Sequence, residues 1–420
     1  MPKILTVVSF RSAALARLLR RTCVLVALSA MAALPACSSV QQPRPLSQSA
    51  TTRPSAPAEG GNGHQGYLRL PGMAANETAL RVGIILPFSN GSAATRKLAA
   101  SMMNAAQMAL YDSGKTNIVL ITGDEGGGGA EAATAAQTLI RKGVRIIIGP
   151  LFAGSVRAVA PVAEAAGIPV IAFSSDRSVA RPGVYLLSFQ PENEVRRIVD
   201  YAASQGHTAF AALLPRNAYG DHVAAAFERD VPQVSGKVVD IERFDPQNGD
   251  VAPQAASMAS AHPDAVLVAQ GGAGLRSTAQ ALSIDGLAGK RAQLLGTGLW
   301  DDTSILGEQT LDGGWFAAPQ PDANSAFIRH YEASFGTTPP TLSSLSYDAV
   351  ALVGLLSQEP DGERFSAEAL TNPNGFSGVN GIFRFEPNGD CQRGLAILAV
   401  GADGFNVVAP APSTFQKQGS

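Results

Sequence analysis

The chain has 420 residues, room for two hydrophobic cores, with a formal net charge of −2 and only 16% charged residues. That balance offers no basic face for a nucleic-acid backbone. Alanine and glycine are abundant and aromatics are few, a composition suited to close packing of helices on sheets.

The first elements form a targeting pattern. Arg11, Arg17, Arg20 and Arg21 precede an apolar run from Cys23 to Leu34, which is too short to span a bilayer as a stable helix. The run ends in Leu34-Pro35-Ala36-Cys37. This resembles a bacterial lipobox, which implies a signal peptide over 1–36 and acylation of Cys37. The other reading is ordinary secretory cleavage with an incidental cysteine. Ser38 is not the aspartate of an inner-membrane retention signal, so by analogy a periplasmic protein anchored to the outer membrane is favoured over an inner-membrane one. Residues 37–78 read as a disordered tether, with Pro43, Pro45, Pro54, Pro57 and Pro71 among Ser, Gln, Thr and Gly. Coil of that length has an r.m.s. reach on the order of 35 Å and a full extension of at most about 135 Å. After cleavage Cys391 stands without a partner for an internal disulfide.

From Leu80 onward strands and helices alternate. Leu80–Pro87 is a strand, Ala94–Tyr111 a helix with Leu98, Met102, Ala105, Ala106 and Ala109 on one face, Asn117–Thr122 a strand and Ala130–Arg141 a helix. Val144–Ile148 and Ile168–Phe173 then flank one Ala/Val-rich amphipathic segment. That is a strand–helix–strand unit, which chirality makes a right-handed parallel crossover. Both of its strands end in small or polar residues, Gly149-Pro150 and Ser174-Ser175-Asp176, where open α/β sheets place ligands. The alternation continues with strands Phe210–Leu214, Lys237–Phe244, Ala265–Ala269 and Gln293–Gly296. Between them fall helices His222–Arg229, Ala252–Ala261 and Leu275–Ile284. Breaks near 190–196 and 318–322, helices Ala326–Phe335 and Leu345–Leu356, and two strands around Asn388-Gly389 complete the chain. The pattern predicts α/β architecture: two doubly wound parallel-sheet lobes with more than one crossover between them. The expected division is 79–195 plus about 320–385 for lobe 1, and 196–319 plus about 386–410 for lobe 2.

Catalytic and cofactor motifs are not legible. The glycines Gly126–Gly129 lack the lysine of a phosphate loop and the downstream acid of a dinucleotide fingerprint. His64, His207, His222, His262 and His330 show no metal-ligand spacing. Ser155 is outside a nucleophile elbow. No cofactor, no metal and no enzymatic activity are expected.

Several segments in family order resemble the type I periplasmic-binding family, in particular its Leu/Ile/Val-binding group. They are Arg81–Pro87, Asp124, Leu139–Pro150, Ile168–Ser175, Asn217–Gly220, Ser346–Ala349 and Phe376–Asp390. The lipobox, the tether and the run Gly149–Ser155 also look like the penicillin-binding protein activator subgroup, whose helical-repeat N-terminal domain has no counterpart here. The resemblance implies a non-enzymatic cell-envelope lipoprotein that binds a small polar, amino-acid-like solute between its lobes for an ABC permease. The alternative it implies is a scaffold that activates a penicillin-binding peptidoglycan synthase.

In amino-acid-binding relatives, hydroxyls and amides at lobe-1 strand ends take the substrate carboxylate. The matching positions are Ser155, Ser174 and Ser175, with Ser89 in the first loop; a serine before a helix is also simply an N-cap. The lobe-2 acid that takes the ammonium falls at Gly298, leaving Asp301 or Asp302 as substitutes unless they cap a helix. The relatives' aromatic wall falls at Gln270-Gly271-Gly272, leaving Tyr219 and Trp300 as the remaining aromatic walls.

Overall fold

A computed structural model describes residues 78–247, 250–289 and 291–415. The expected signal peptide, Cys37 and the tether through residue 77 lie outside the described residues.

The first half is built from β1 (Leu80–Leu86), α1 (Ala93–Asp112), β2 (Ile118–Asp124), α2 (Gly129–Arg141), β3 (Ile146–Ile148), α3 (Ala153–Ala165), β4 (Val170–Ala172) and β5 (Val184–Leu186). Its sheet runs β2-β1-β3-β4-β5, parallel throughout. The central strands are Ile- and Val-rich on both faces because helices cover both faces. Ile84, Ile146 and Ile148 pack toward α1, while Ile85, Ile147 and Val170 pack toward α2 and α3. Each such side chain, fully buried, contributes about 1.5–3 kcal/mol relative to exposure. α1 starts at Ser92, whose hydroxyl accepts from the Thr95 amide.

The second half comprises α4 (Pro191–Ser204), β6 (Ala209–Pro215), α5 (Ala218–Gln233), β7 (Lys237–Phe244), α6 (Ala252–Ser260), β8 (Ala265–Val268), α7 (Gly272–Ile284), β9 (Gln293–Gly296) and β10 (Trp315–Ala318). The chain then returns to the first half. There α8 (Ser325–Phe335) sets Phe327 and Tyr331 against Ala105 and Met108 of α1. α9 (Ser343–Leu356) packs along α1, burying Leu345, Ala349, Val350, Leu352, Val353 and Leu356. After α10 (Ala367–Leu370) comes a small antiparallel sheet of β11 (Phe376–Gly378), β12 (Gly381–Phe385) and β13 (Cys391–Arg393). β14 (Ala396–Val400) and β15 (Phe405–Ala409) close the second sheet, ordered β15-β14-β10-β9-β8-β6-β7.

Two departures from the sequence reading have simple causes. β5 and β10 are short apolar runs, which periodicity alone cannot assign to strand or helix. β14 and β15 are antiparallel because the short turn at 401–404 cannot make a parallel crossover. The segment around Asn388-Gly389 is a β12–β13 turn whose flanking aromatics, Phe383 and Phe385, sit in the first half's core. The chain therefore re-enters the second half only after Arg393, later than the residue near 386 expected from sequence.

Candidate functional site

Between the carboxyl ends of the two sheets lies a cavity of about 1000 Å³. The first half lines it with Ser175 and Asp176 after β4 and with Phe189 after β5. The second half adds Glu194 of α4, Tyr219 and His222 of α5, and Gly298, Leu299 and Asp301 after β9. Three of the residues anticipated from sequence, Ser175, Tyr219 and Asp301, meet here.

The other anticipated residues are used elsewhere. Ser155 is buried beneath the first turn of α3 and hydrogen-bonds the carboxylate of Glu125. Glu125 is 0% exposed, and its two oxygens accept the Leu151 and Phe152 amides, each at 2.8 Å. The α3 N-terminus, an intrinsic anion seat, is thus taken by the chain's own carboxylate. Burial raises the Glu125 pKa and the two amides oppose that rise. Ser174 is buried, its Oγ accepting the Asp176 amide. Ser89 lines a separate groove of about 570 Å³ beside β2 and α2, its amide donating to Asp124.

In the second half, Gln270 turns back to accept from Thr278 of α7. Gly271 caps α7 under the Leu299 carbonyl, where a Cβ would stand 2.6 Å from that oxygen. Trp300 is not a cleft wall. It is 0% exposed in the second core, and its Nε1 donates to the Val268 carbonyl at 3.1 Å. Its ring occupies the space that any side chain at Gly296 would need, since a Cβ there would lie 2.2 Å from the indole. An indole has too much apolar area to leave beside water when a bare glycine below it offers a socket. Asp302 caps the short turn that follows by accepting the Ser304 amide.

The sequence reading missed Glu194. Its Oε2 accepts the Gly298 amide at 2.9 Å, and a Cβ on Gly298 would stand 2.8 Å from Oε1. The glycine at the position expected to be acidic is therefore the space into which an acid from α4 reaches. Desolvation pushes the Glu194 pKa up to about 7, with the Gly298 amide opposing and Glu192 reinforcing the rise. The available signal was Pro191-Glu192-Asn193-Glu194, a proline at the first helical position followed by acids. The stretch instead read as a break in the pattern.

Around Glu194 the site is ordered by short links. Tyr219 Oη lies 2.8 Å from the buried Thr297 Oγ1, and burial raises the phenol pKa. His222 Nδ1 lies 3.3 Å from Glu192 Oε1. The Arg393 guanidinium stacks 4.5 Å from the Phe189 ring centroid and donates through Nε to the Ser188 carbonyl at 2.9 Å. Asn193 and Arg197 donate to the Cys391 and Leu395 carbonyls, so α4 is fixed to the last passage between the halves. Among the described residues no group of His, Cys, Asp or Glu is placed to hold a metal ion, and no helix is long and apolar enough to cross a membrane. The arrangement can bind and orient a small polar molecule through an open carboxylate, hydroxyls and aromatic faces.

A family model described as periplasmic binding protein matches residues 79–404. Among solved structures, the chain is similar to a branched-chain amino acid ABC transporter periplasmic ligand-binding protein of Burkholderia xenovorans LB400. The TM-score is 0.64 at 18% identity, covering 79% of this chain and 96% of that one. Among curated relatives, it is 30% identical over 105 residues to the penicillin-binding protein activator LpoA of Enterobacter sp. (strain 638), which covers 25% of this chain and 14% of the activator. It is 28% identical over 147 residues to the LpoA of Vibrio cholerae, covering 34% and 23%. The chain thus matches less than a quarter of the length of either activator.

Proposed function

The chain belongs to the periplasmic binding protein family, and on that premise we propose that it is a lipid-anchored solute-binding protein of the cell envelope. Its two halves close on a small polar solute and present it to an ABC permease. The observation that supports this reading best is the cavity of about 1000 Å³ at the carboxyl ends of both sheets, with polar groups contributed from each half. Ser175, Tyr219, Asp301 and Glu194 are the proposed contacts. Thermal-shift and calorimetric titration against amino acids, amines and small amides test it. A solute with a dissociation constant near 1 μM stabilises the fold by about 2.7 kcal/mol at hundredfold excess. Absence of any stabilisation at millimolar concentrations overturns the reading. The anchor is tested separately: Cys37→Ser releases the protein from the membrane fraction if Cys37 is acylated.

A second reading is activation of a penicillin-binding peptidoglycan synthase, and the partial identity to the activators supports it. A glycan-polymerisation assay decides it. Unchanged rates of the organism's bifunctional synthases in the presence of this protein sink it.

A further inference from the structure

We propose that the cleft selects an organic cation of the di- or polyamine class, without need of an α-carboxylate. The proposal rests on the cleft being a solute site and names what that site prefers. Its first support is charge. Glu194, Asp301, Asp322 and Asp403 line the cavity and no Lys or Arg does, while Asp176, which also lines it, is already paired with Arg157 at 2.7 Å. The one basic lining residue, His222, already faces Glu192. Glu192 is itself 6% exposed, and although its Oε1 faces His222, its Oε2 has no hydrogen-bond partner.

The second support is independent of the acids. A zwitterion needs a seat for its carboxylate, and of the first-half serines at the ends of β3 and β4 only Ser175 remains at the cavity. Glu125 fills the α3 N-terminus, with Ser155 beneath it. The Ser174 hydroxyl holds the Asp176 amide. By contrast, Glu194 has one oxygen fixed by the Gly298 amide, and its Oε1 accepts no hydrogen bond among the described residues. An ammonium group at Oε1 would gain a charge-assisted hydrogen bond in a partly desolvated setting. Tyr219 offers an aromatic face alongside, which also favours cations, while the Phe189 ring already carries the Arg393 guanidinium. A chain of methylenes then separates that ammonium from a second near Asp301, in a cavity large enough for such a ligand.

Isothermal titration of the purified chain with four probes tests this: 1,4-diaminobutane, the neutral isostere 1,4-butanediol, L-isoleucine and succinate. The expected result is saturable binding of the diamine alone, weakening with added salt. Glu194→Gln, which keeps an acceptor for the Gly298 amide, should weaken it at least tenfold. Asp301→Asn, an exposed change that leaves the core untouched, should weaken it severalfold and serves if the Glu194 variant does not fold. Diamine binding no tighter than that of the diol overturns the inference. Binding of isoleucine without the diamine overturns it while leaving the solute-binding reading intact. Silence of all four probes, and of the wider panel above, overturns both.

Discussion

Two carboxylates, one in each half, show how similar positions near strand ends can be used differently by the fold. Glu125 lies at the end of β2 and Glu194 in the first turn of α4, both close to strand ends where ligands bind. Glu125 is sealed, with both oxygens bonded to backbone amides of the next loop. Glu194 lines the cavity with one oxygen fixed by the Gly298 amide and the other without a hydrogen bond among the described residues. The aromatics divide the same way. Trp300 fills the socket above Gly296 inside the core, and Tyr219 stands on the cleft wall with its hydroxyl tied to Thr297. A group whose hydrogen-bonding capacity is exhausted by the fold is structural, and one with capacity left over at a cavity is available to a ligand.

The inward-facing members should be expensive to remove. Trp300→Ala leaves a cavity over Gly296 and an unpaired Val268 carbonyl, and should cost about 3–5 kcal/mol in denaturant unfolding. A loss under about 1 kcal/mol would show that the indole is not the keystone of the second core. Glu125→Ala strips two buried amides of their acceptor and should cost about 2–4 kcal/mol. If Glu125→Ala instead leaves stability unchanged and creates binding for succinate, the α3 N-terminus is a ligand seat after all and the contrast with Glu194 fails.

Much of the architecture is legible in the sequence. β7 and β9 run over the same residues that the strand–helix alternation gave them, and the helices that were read differ mainly by a turn at their ends, whereas the start of α4 read as a break. β5 and β10 were missed because a short apolar run cannot be assigned to strand or helix by periodicity alone. The site was harder to read. Spacing along the chain put Ser155, Ser174 and Gln270 at strand ends, but whether a polar side chain faces outward depends on what lies beneath it. Each of the three had a partner nearby in space: Glu125, the Asp176 amide and Thr278. Glu194 was hidden for the converse reason. It is separated by about a hundred residues from the loop it completes, and only the bare Gly298 hinted that something else fills that place.

Protonation separates the two carboxylates further. The Glu194 pKa is raised from 4.5 to about 7, so the folded state holds its proton over a range in which the unfolded state has released it. The sign follows directly: stability from this group is present below about pH 4.5 and is lost as pH rises through about 7, by up to about 3 kcal/mol. Asp348, a buried residue of α9 raised to about 6, adds a slope of the same sign at lower pH. The diagnostic quantity is therefore the difference between Glu194→Gln and the parent. The variant should gain relative stability steadily from pH 5 to pH 8, read as melting temperature in matched buffers. A constant difference across that range would mean that Glu194 is ionised throughout and well solvated.

The smallest effect is expected at Tyr219. Tyr219→Phe keeps the ring on the cleft wall and removes only the hydroxyl that meets Thr297 Oγ1, a residue with 0% exposure. The threonine hydroxyl is left without that partner, at a cost of about 1 kcal/mol. Ligand affinity tells whether the ring or the hydroxyl serves the cleft. If a cation lies against the aromatic face, diamine affinity should change less than twofold, because the ring is unchanged. Should affinity fall tenfold while stability falls by no more than that 1 kcal/mol, the phenol is a ligand contact. Tyr219 would then resemble Glu194 in offering a polar atom to the solute, and the cleft would read as a hydrogen-bonding site more than an electrostatic one.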